Sequence, residues 1–185
     1  MIIVLIIIVL LLIVLLVINI VSYSEYFSEN DYILPKTIYG YWDNLDNNPV
    51  VSAHIDTWRR KLKGWQIIIL NKNNVANYVS KEFMNKYQNL DATRFSDFLR
   101  LDLLKNNGGL WMDTSTIIID GSFINRYYDE MHKNKYDVLV YEYKEKTMNP
   151  DIPYLENWFI MAPKKTVGIL QIYMTSLIKP LLWAS

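Results

Sequence analysis

Residues 91–116, "DATRFSDFLRLDLLKNNGGLWMDTST", constrain the fold more than any other stretch. Asp91 is a helix N-cap, and the apolar positions Phe95, Leu99 and Leu103 recur at helical spacing until Gly108 stops the helix. "GLWM" follows at once as an apolar strand candidate, and a lone carboxylate, Asp113, stands between it and "TIIID". A helix that runs straight into a buried strand is the grammar of a layered α/β domain. "TIIID" completes the pattern as a second short strand, or as the continuation of an interrupted one.

The rest of the chain repeats that alternation. "KTIYGYW" (36–42) reads as a strand. Pro49 opens a helix carrying Val51, Ile55, Trp58 and Leu62, and "WQIIIL" (65–70) reads as a strand covered on both faces. Asn71–Asn74 form a turn and cap, and a short helix spans 81–87. Helix 122–133, strand 136–143, strand 157–162 and a helix over 166–183, broken near Pro180, complete the series. The expectation is an α/β fold with a mainly parallel sheet.

The N-terminus follows different rules. Residues 1–18 are unbroken apolar, and Asn19 is the only polar residue before Ser22. At about 1.5 Å rise per residue the first 21 residues span roughly 31 Å, the thickness of a bilayer's hydrocarbon core. A cleaved signal peptide has a basic start, a shorter apolar run and a small-residue cleavage site; none is present. The expected organisation is a transmembrane anchor (1–21), a juxtamembrane linker (22–33) and one domain (34–185). Such a chain is a single-pass membrane protein, in a Golgi/ER-type membrane of a eukaryotic host or the cytoplasmic membrane of a bacterium. No Lys or Arg precedes Lys36, so loop charge does not set the orientation.

Nineteen basic residues balance nineteen acidic ones, which gives no electrostatic case for nucleic acid. The absence of cysteine excludes disulfides and thiolate metal sites, and two histidines do not make a His-rich zinc site. Oxygen chemistry remains. Asp97 and Arg100, three apart on the helix, share a face. They are either an exposed ion pair worth about 0.3–0.5 kcal/mol, or a cleft pair offering a guanidinium to phosphate and a carboxylate to a sugar hydroxyl. Gly108-Gly109 ends the helix and lets backbone approach a neighbour or a ligand, but lacks the spacing and Lys-Ser/Thr of a phosphate loop. Asp113, beyond a strand end, is either a turn aspartate or a ligand for a hard divalent cation that clamps a diphosphate, with Ser115 as a further oxygen.

The motif Ser96-Asp97-x-x-Arg100, a spacer, Gly108-Gly109, Trp111, then Asp113-x-Ser115 resembles the donor-binding segment of glycosyltransferases of the capsular polysaccharide synthesis group. That group is related to the yeast initiating mannosyltransferases and the clostridial glucosylating toxins. "LPKTIYGYWDN", "DTWRRKLKGWQIIILNKNNVANYV" and "ENWFIMAPKK" resemble three further segments of it, so the likeness covers about 34–170. It implies a GT-A-like, Rossmann-like domain that takes a UDP- or GDP-sugar with Mn²⁺ or Mg²⁺. It further implies transfer to a glycan or lipid-linked acceptor with retention of configuration. Asp97, Asp113 and Asn157 would serve catalysis. Trp42, Asp97, Arg100, Gly108, Gly109 and Asp113 would hold the donor, with Trp42 near the base; Asp113 and Ser115 would meet the metal, and Asn157 and Trp158 would border the acceptor. Two departures stand out: Ser115 replaces the last Asp of Asp-x-Asp, and the chain ends in an apolar stretch, shorter than most GT-A enzymes. Both fit the alternative expectation, a trimmed, non-catalytic, membrane-tethered binding module.

Overall fold

The computed structural model describes residues 13–14, 32–149 and 153–164. Residues 33–185 group as one compact unit and residues 1–32 as another. The expected anchor lies outside the described residues except for Ile13 and Val14, which are helical, and so does the expected helix at 166–183. Among the described residues no helix is long and apolar enough to cross a membrane.

Five strands form one sheet: β1 (Thr37–Tyr41), β2 (Gln66–Leu70), β3 (Gly109–Met112), β4 (Leu139–Glu142) and β5 (Leu155–Ala162), in the order β2-β1-β3-β5-β4. Four helices connect them: α1 (Pro49–Lys61), α2 (Lys81–Tyr87), α3 (Ala92–Asn107) and α4 (Ser122–Asn134). Local chemistry sets their starts. Asn48 accepts from the amide of Val51, Ser80 from Phe83 and Asp91 from Arg94, each satisfying an amide that a helix start leaves bare.

The sheet corrects one expectation. β1 pairs in parallel with β2 and β3, but β3–β5 and β5–β4 are antiparallel, so the sheet is mixed. β4 feeds β5 through a hairpin, and a hairpin can only reverse the chain. β2 is also not covered on both faces. Among the described strands it is an edge, with Ile67, Ile68 and Ile69 only half-buried.

Alternation along the strands divides the core. Tyr39, Tyr41, Leu70, Trp111, Ile160 and Ala162 pack with Phe95, Phe98, Leu99 and Leu103 of α3. Each fully buried Phe or Leu contributes roughly 1.5–3 kcal/mol relative to exposure. Ile38, Leu110, Met112, Phe159 and Met161 point to the opposite face and are fully buried. Trp58 brings α1 against that face, its ring only 3.2 Å from where a Cβ on Gly40 would stand.

The glycine pair after α3 is shaped by backbone contact. Gly108 (φ +69°) closes the helix, its amide bonding the Leu104 carbonyl at 2.8 Å. At Gly109 (φ +111°) a Cβ would stand 2.6 Å from the Thr37 carbonyl oxygen. Both conditions exclude a side chain there, and they let β3 lie directly beside β1.

"TIIID" is not a strand. The Trp58 indole donates to the Thr116 carbonyl at 2.8 Å, and the Ile118 amide donates to the Thr57 hydroxyl at 2.9 Å. Side chains of α1 thus take backbone groups that a sheet partner would have taken. Ile118 is buried, whereas Ile117 and Ile119 are 55% and 82% exposed.

Candidate functional site

The carboxyl ends of β1 and β3 open onto a cleft of about 380 Å³, whose lining includes Trp42, Ser96, Arg100, Trp111, Asp113 and Ser115. Ligands gather at this edge in open α/β sheets. Asp113 is the first residue past β3. Its amide donates to the Trp158 carbonyl and its own carbonyl accepts from Thr116, both at 2.9 Å, so its backbone is held from two sides. Thr114, buried beside it, donates its hydroxyl to the Tyr41 carbonyl at 3.1 Å. Gly40 makes room for that contact, since a Cβ there would lie 2.8 Å from the Thr114 methyl.

Arg100 reaches the cleft floor from α3 with only 5% of its side chain exposed. Nε donates to the Ser96 carbonyl at 3.2 Å, and one terminal nitrogen meets Asp97 at 2.9 Å and the Ser96 hydroxyl at 3.3 Å. The other donates to the Asn157 carbonyl and lies 3.4 Å from Asp113. The guanidinium also rests over the Trp111 ring, 5.1 Å from its centre. Its donors are therefore already engaged within the protein. The exposed ion pair considered from spacing is excluded. A guanidinium free for phosphate is not what the geometry holds either: Arg100 is a buried brace between two carboxylates. A buried charge persists only when so surrounded.

The Trp111 indole N–H donates to Asp113 Oδ1 at 2.8 Å. With Arg100 on the same oxygen, Oδ1 is occupied; the side chain is 35% exposed and lines the cleft. Asp97 stands behind: its Oδ1 accepts from Arg100 and from the Asn157 amide at 3.1 Å. Burial pushes the Asp97 carboxyl above its usual range, Asp113 adds to this, and Arg100 and Asn157 only partly oppose it.

The sequence-named residues thus fall into three groups. Trp42, Arg100, Asp113 and Ser115 line the cleft. Asp97 and Asn157 are not in its lining and join it through Arg100. Gly108 and Gly109 lie at the other end of β3, roughly 13 Å away at strand rise, and serve packing there. The only sequence signal for Trp111 as the partner of Asp113 is their i, i+2 spacing, which puts both on one strand face.

Among the described residues no group of three His, Cys, Asp or Glu could hold a metal ion. Two carboxylates against one guanidinium leave one surplus negative charge at the floor. This donor set does not suit a resident cation, which wants several anionic oxygens. It fits a cation arriving with a diphosphate, which supplies the missing oxygens.

The chain thus carries a mixed α/β sheet with a carboxylate–guanidinium cluster at the carboxyl end of β3. The chain matches the model of the capsular polysaccharide synthesis protein family over residues 17–179, and it belongs to that family. It is 26% identical over 152 residues to the glycosyltransferase afumC of Aspergillus fumigatus, covering 72% of this chain and 38% of that protein. It is 27% identical over 150 residues to the O-glycosyltransferase braB of Annulohypoxylon truncatum, covering 73% and 32%. The chain thus spans about a third of the length of these curated relatives. The solved PaToxG glycosyltransferase is similar at a TM-score of 0.47 and 17% identity, covering 86% of this chain and 66% of that one.

Proposed function

We propose that the domain is a GT-A-like glycosyltransferase unit moving a sugar from a nucleoside diphosphate to a glycan or lipid-linked acceptor, with retention. One observation carries the reading: Asp113 lines the cleft with its backbone held by Trp158 and Thr116 and one carboxylate oxygen bonded by Trp111. Asp113 and the Ser115 hydroxyl would hold a divalent cation, which when bound neutralises the diphosphate leaving group. Arg100 keeps both carboxylates in place. Asp97, held by Asn157, anchors Arg100 from behind the cleft. Trp42 borders the nucleoside side. The apolar run 1–21 is the tether that would keep the unit beside a membrane-borne acceptor.

The test is turnover. The full chain in detergent, with Mn²⁺, is offered a panel of UDP- and GDP-sugars, and release of the nucleoside diphosphate is measured against Asp113→Asn. Consumption of one donor, lost in the variant, supports the reading. Ser115 in place of a second carboxylate favours a second reading, a tethered module that binds sugar or partner without chemistry. Calorimetric binding of a donor with no turnover on any acceptor would select it.

A further inference from the structure

Beside the cleft lies a second cavity of about 150 Å³, and Tyr41, Asp43 and Ala92 belong to the walls of both. Val75, Met84, Leu90 and Phe95 give it apolar walls, Lys72, Gln88 and Asp91 are polar groups of its own, and Tyr41 and Asp43 stand at the side shared with the cleft. There the Tyr41 hydroxyl donates to Asp43 Oδ1 at 2.8 Å, and the Lys72 ammonium meets Oδ2 at 2.6 Å. Asp43 follows β1 and Lys72 follows β2. Neighbouring strands lie about 4.8 Å apart, so the end of β2 is about 10 Å from the end of β3, where Asp113 stands. A ligand with its diphosphate at Asp113 has its far end here.

We propose that this cavity receives the nucleobase of the donor, and that Asp43 with Lys72 selects guanine. The inference rests on the donor reading above and adds the class of nucleotide. An apolar slot suits a flat ring, and a few fixed polar groups choose its edge. Guanine presents two adjacent donors, N1–H and the N2 amino group, next to the acceptor O6. A carboxylate matches the two donors and the neighbouring ammonium matches O6. Uracil presents one N–H between two carbonyls, so one of them would face the carboxylate. Adenine and cytosine each present one donor beside a bare ring nitrogen. Each oxygen of Asp43 keeps room for a further bond, because a carboxylate accepts about four. Burial, the largest single influence, raises the Asp43 carboxyl, but the bonds from Lys72 and Tyr41 and the Lys72 charge together outweigh it and keep the group below its usual value, hence ionised at neutral pH.

The experiment is calorimetric titration of the full chain in detergent with GDP and with UDP, each with Mn²⁺, repeated on Asp43→Asn. The expected result is GDP tighter than UDP by roughly tenfold or more, one bidentate pair's discrimination, falling toward parity in the variant. Equal or tighter UDP binding by the native chain overturns the guanine assignment and leaves the donor reading standing. An undiminished preference in Asp43→Asn removes Asp43 from the role. If neither nucleotide binds, the donor reading itself fails and takes this inference with it. The native comparison needs no variant, so it decides even if Asp43→Asn folds poorly.

Discussion

The indole N–H of Trp111 points at Oδ1 of Asp113 across 2.8 Å, two residues along the same strand end. That bond decides which oxygen of the carboxylate is left for a ligand. Trp111→Phe keeps the ring over Arg100 and removes only the donor. A hydrogen bond to a charged group is worth about 1.5–3 kcal/mol, and losing a bond that orients a metal ligand weakens the metal by roughly 10-fold or more. Urea denaturation and Mn²⁺ titration in the presence of nucleotide should show both losses. Unchanged Mn²⁺ affinity would remove the orienting role.

Arg100→Lys retains the charge but cannot span Asp97, Asp113, Ser96 and the Asn157 carbonyl at once. The expected loss of stability is about 3 kcal/mol, typical of a broken buried ion pair. Nucleotide affinity falls with it because Asp113 loses one of the two groups that hold its Oδ1. A variant with native stability and weakened donor binding would mean that Arg100 contacts the donor directly.

Asp113→Asn leaves the backbone bonds to Trp158 and Thr116 intact. The fold should survive with a modest loss of stability, since Arg100 loses one of its two carboxylates but keeps Asp97; the Mn²⁺ dependence of nucleotide binding should vanish, and turnover should drop by about two orders of magnitude. Ser115→Asp should act in the opposite direction, tightening Mn²⁺ without nucleotide. Unfolding of Asp113→Asn, with metal coupling surviving in the folded fraction, would return Asp113 to a turn role.

Asp97 should hold its proton to higher pH in the folded chain than in the unfolded one, whose reference value is 3.8. The sign follows from linkage. With the folded value raised, this group's contribution to stability is present at low pH and is lost as pH rises from 3.8 through the folded value. Asn157→Ala removes a bond that favours the ionised form, so it should move the midpoint further up. Carboxyl carbon NMR across a pH series reads both; a native midpoint at or below 3.8 contradicts the burial argument.

What was legible in the sequence was local. Asp91, Gly108 and the stripe of Phe95, Leu99 and Leu103 defined α3 because caps and period act within a few turns. Asp113 at a strand end was legible for the same reason. Strand direction was not, because it depends on which distant segment returns beside β3. The run at 117–119 has the composition of a strand, and only the side chains of Thr57 and Trp58, some 60 positions away, divert it. The burial of Arg100 was equally hidden, since two of its partners, Asp113 and the Asn157 carbonyl, lie beyond its own helix.

The antiparallel return of β5 imposes an order in time. Ile38 and Leu110 must meet across 72 positions of chain, and Met112 must then wait for Phe159 to arrive. Long-range pairings of this kind form late. On a ribosome, Arg100 and Asp113 emerge well before Asn157 and Trp158 supply the carbonyls that anchor them. A nascent chain halted before Asn157 therefore carries its charged cluster without its brace. The cluster is complete only when β5 has docked.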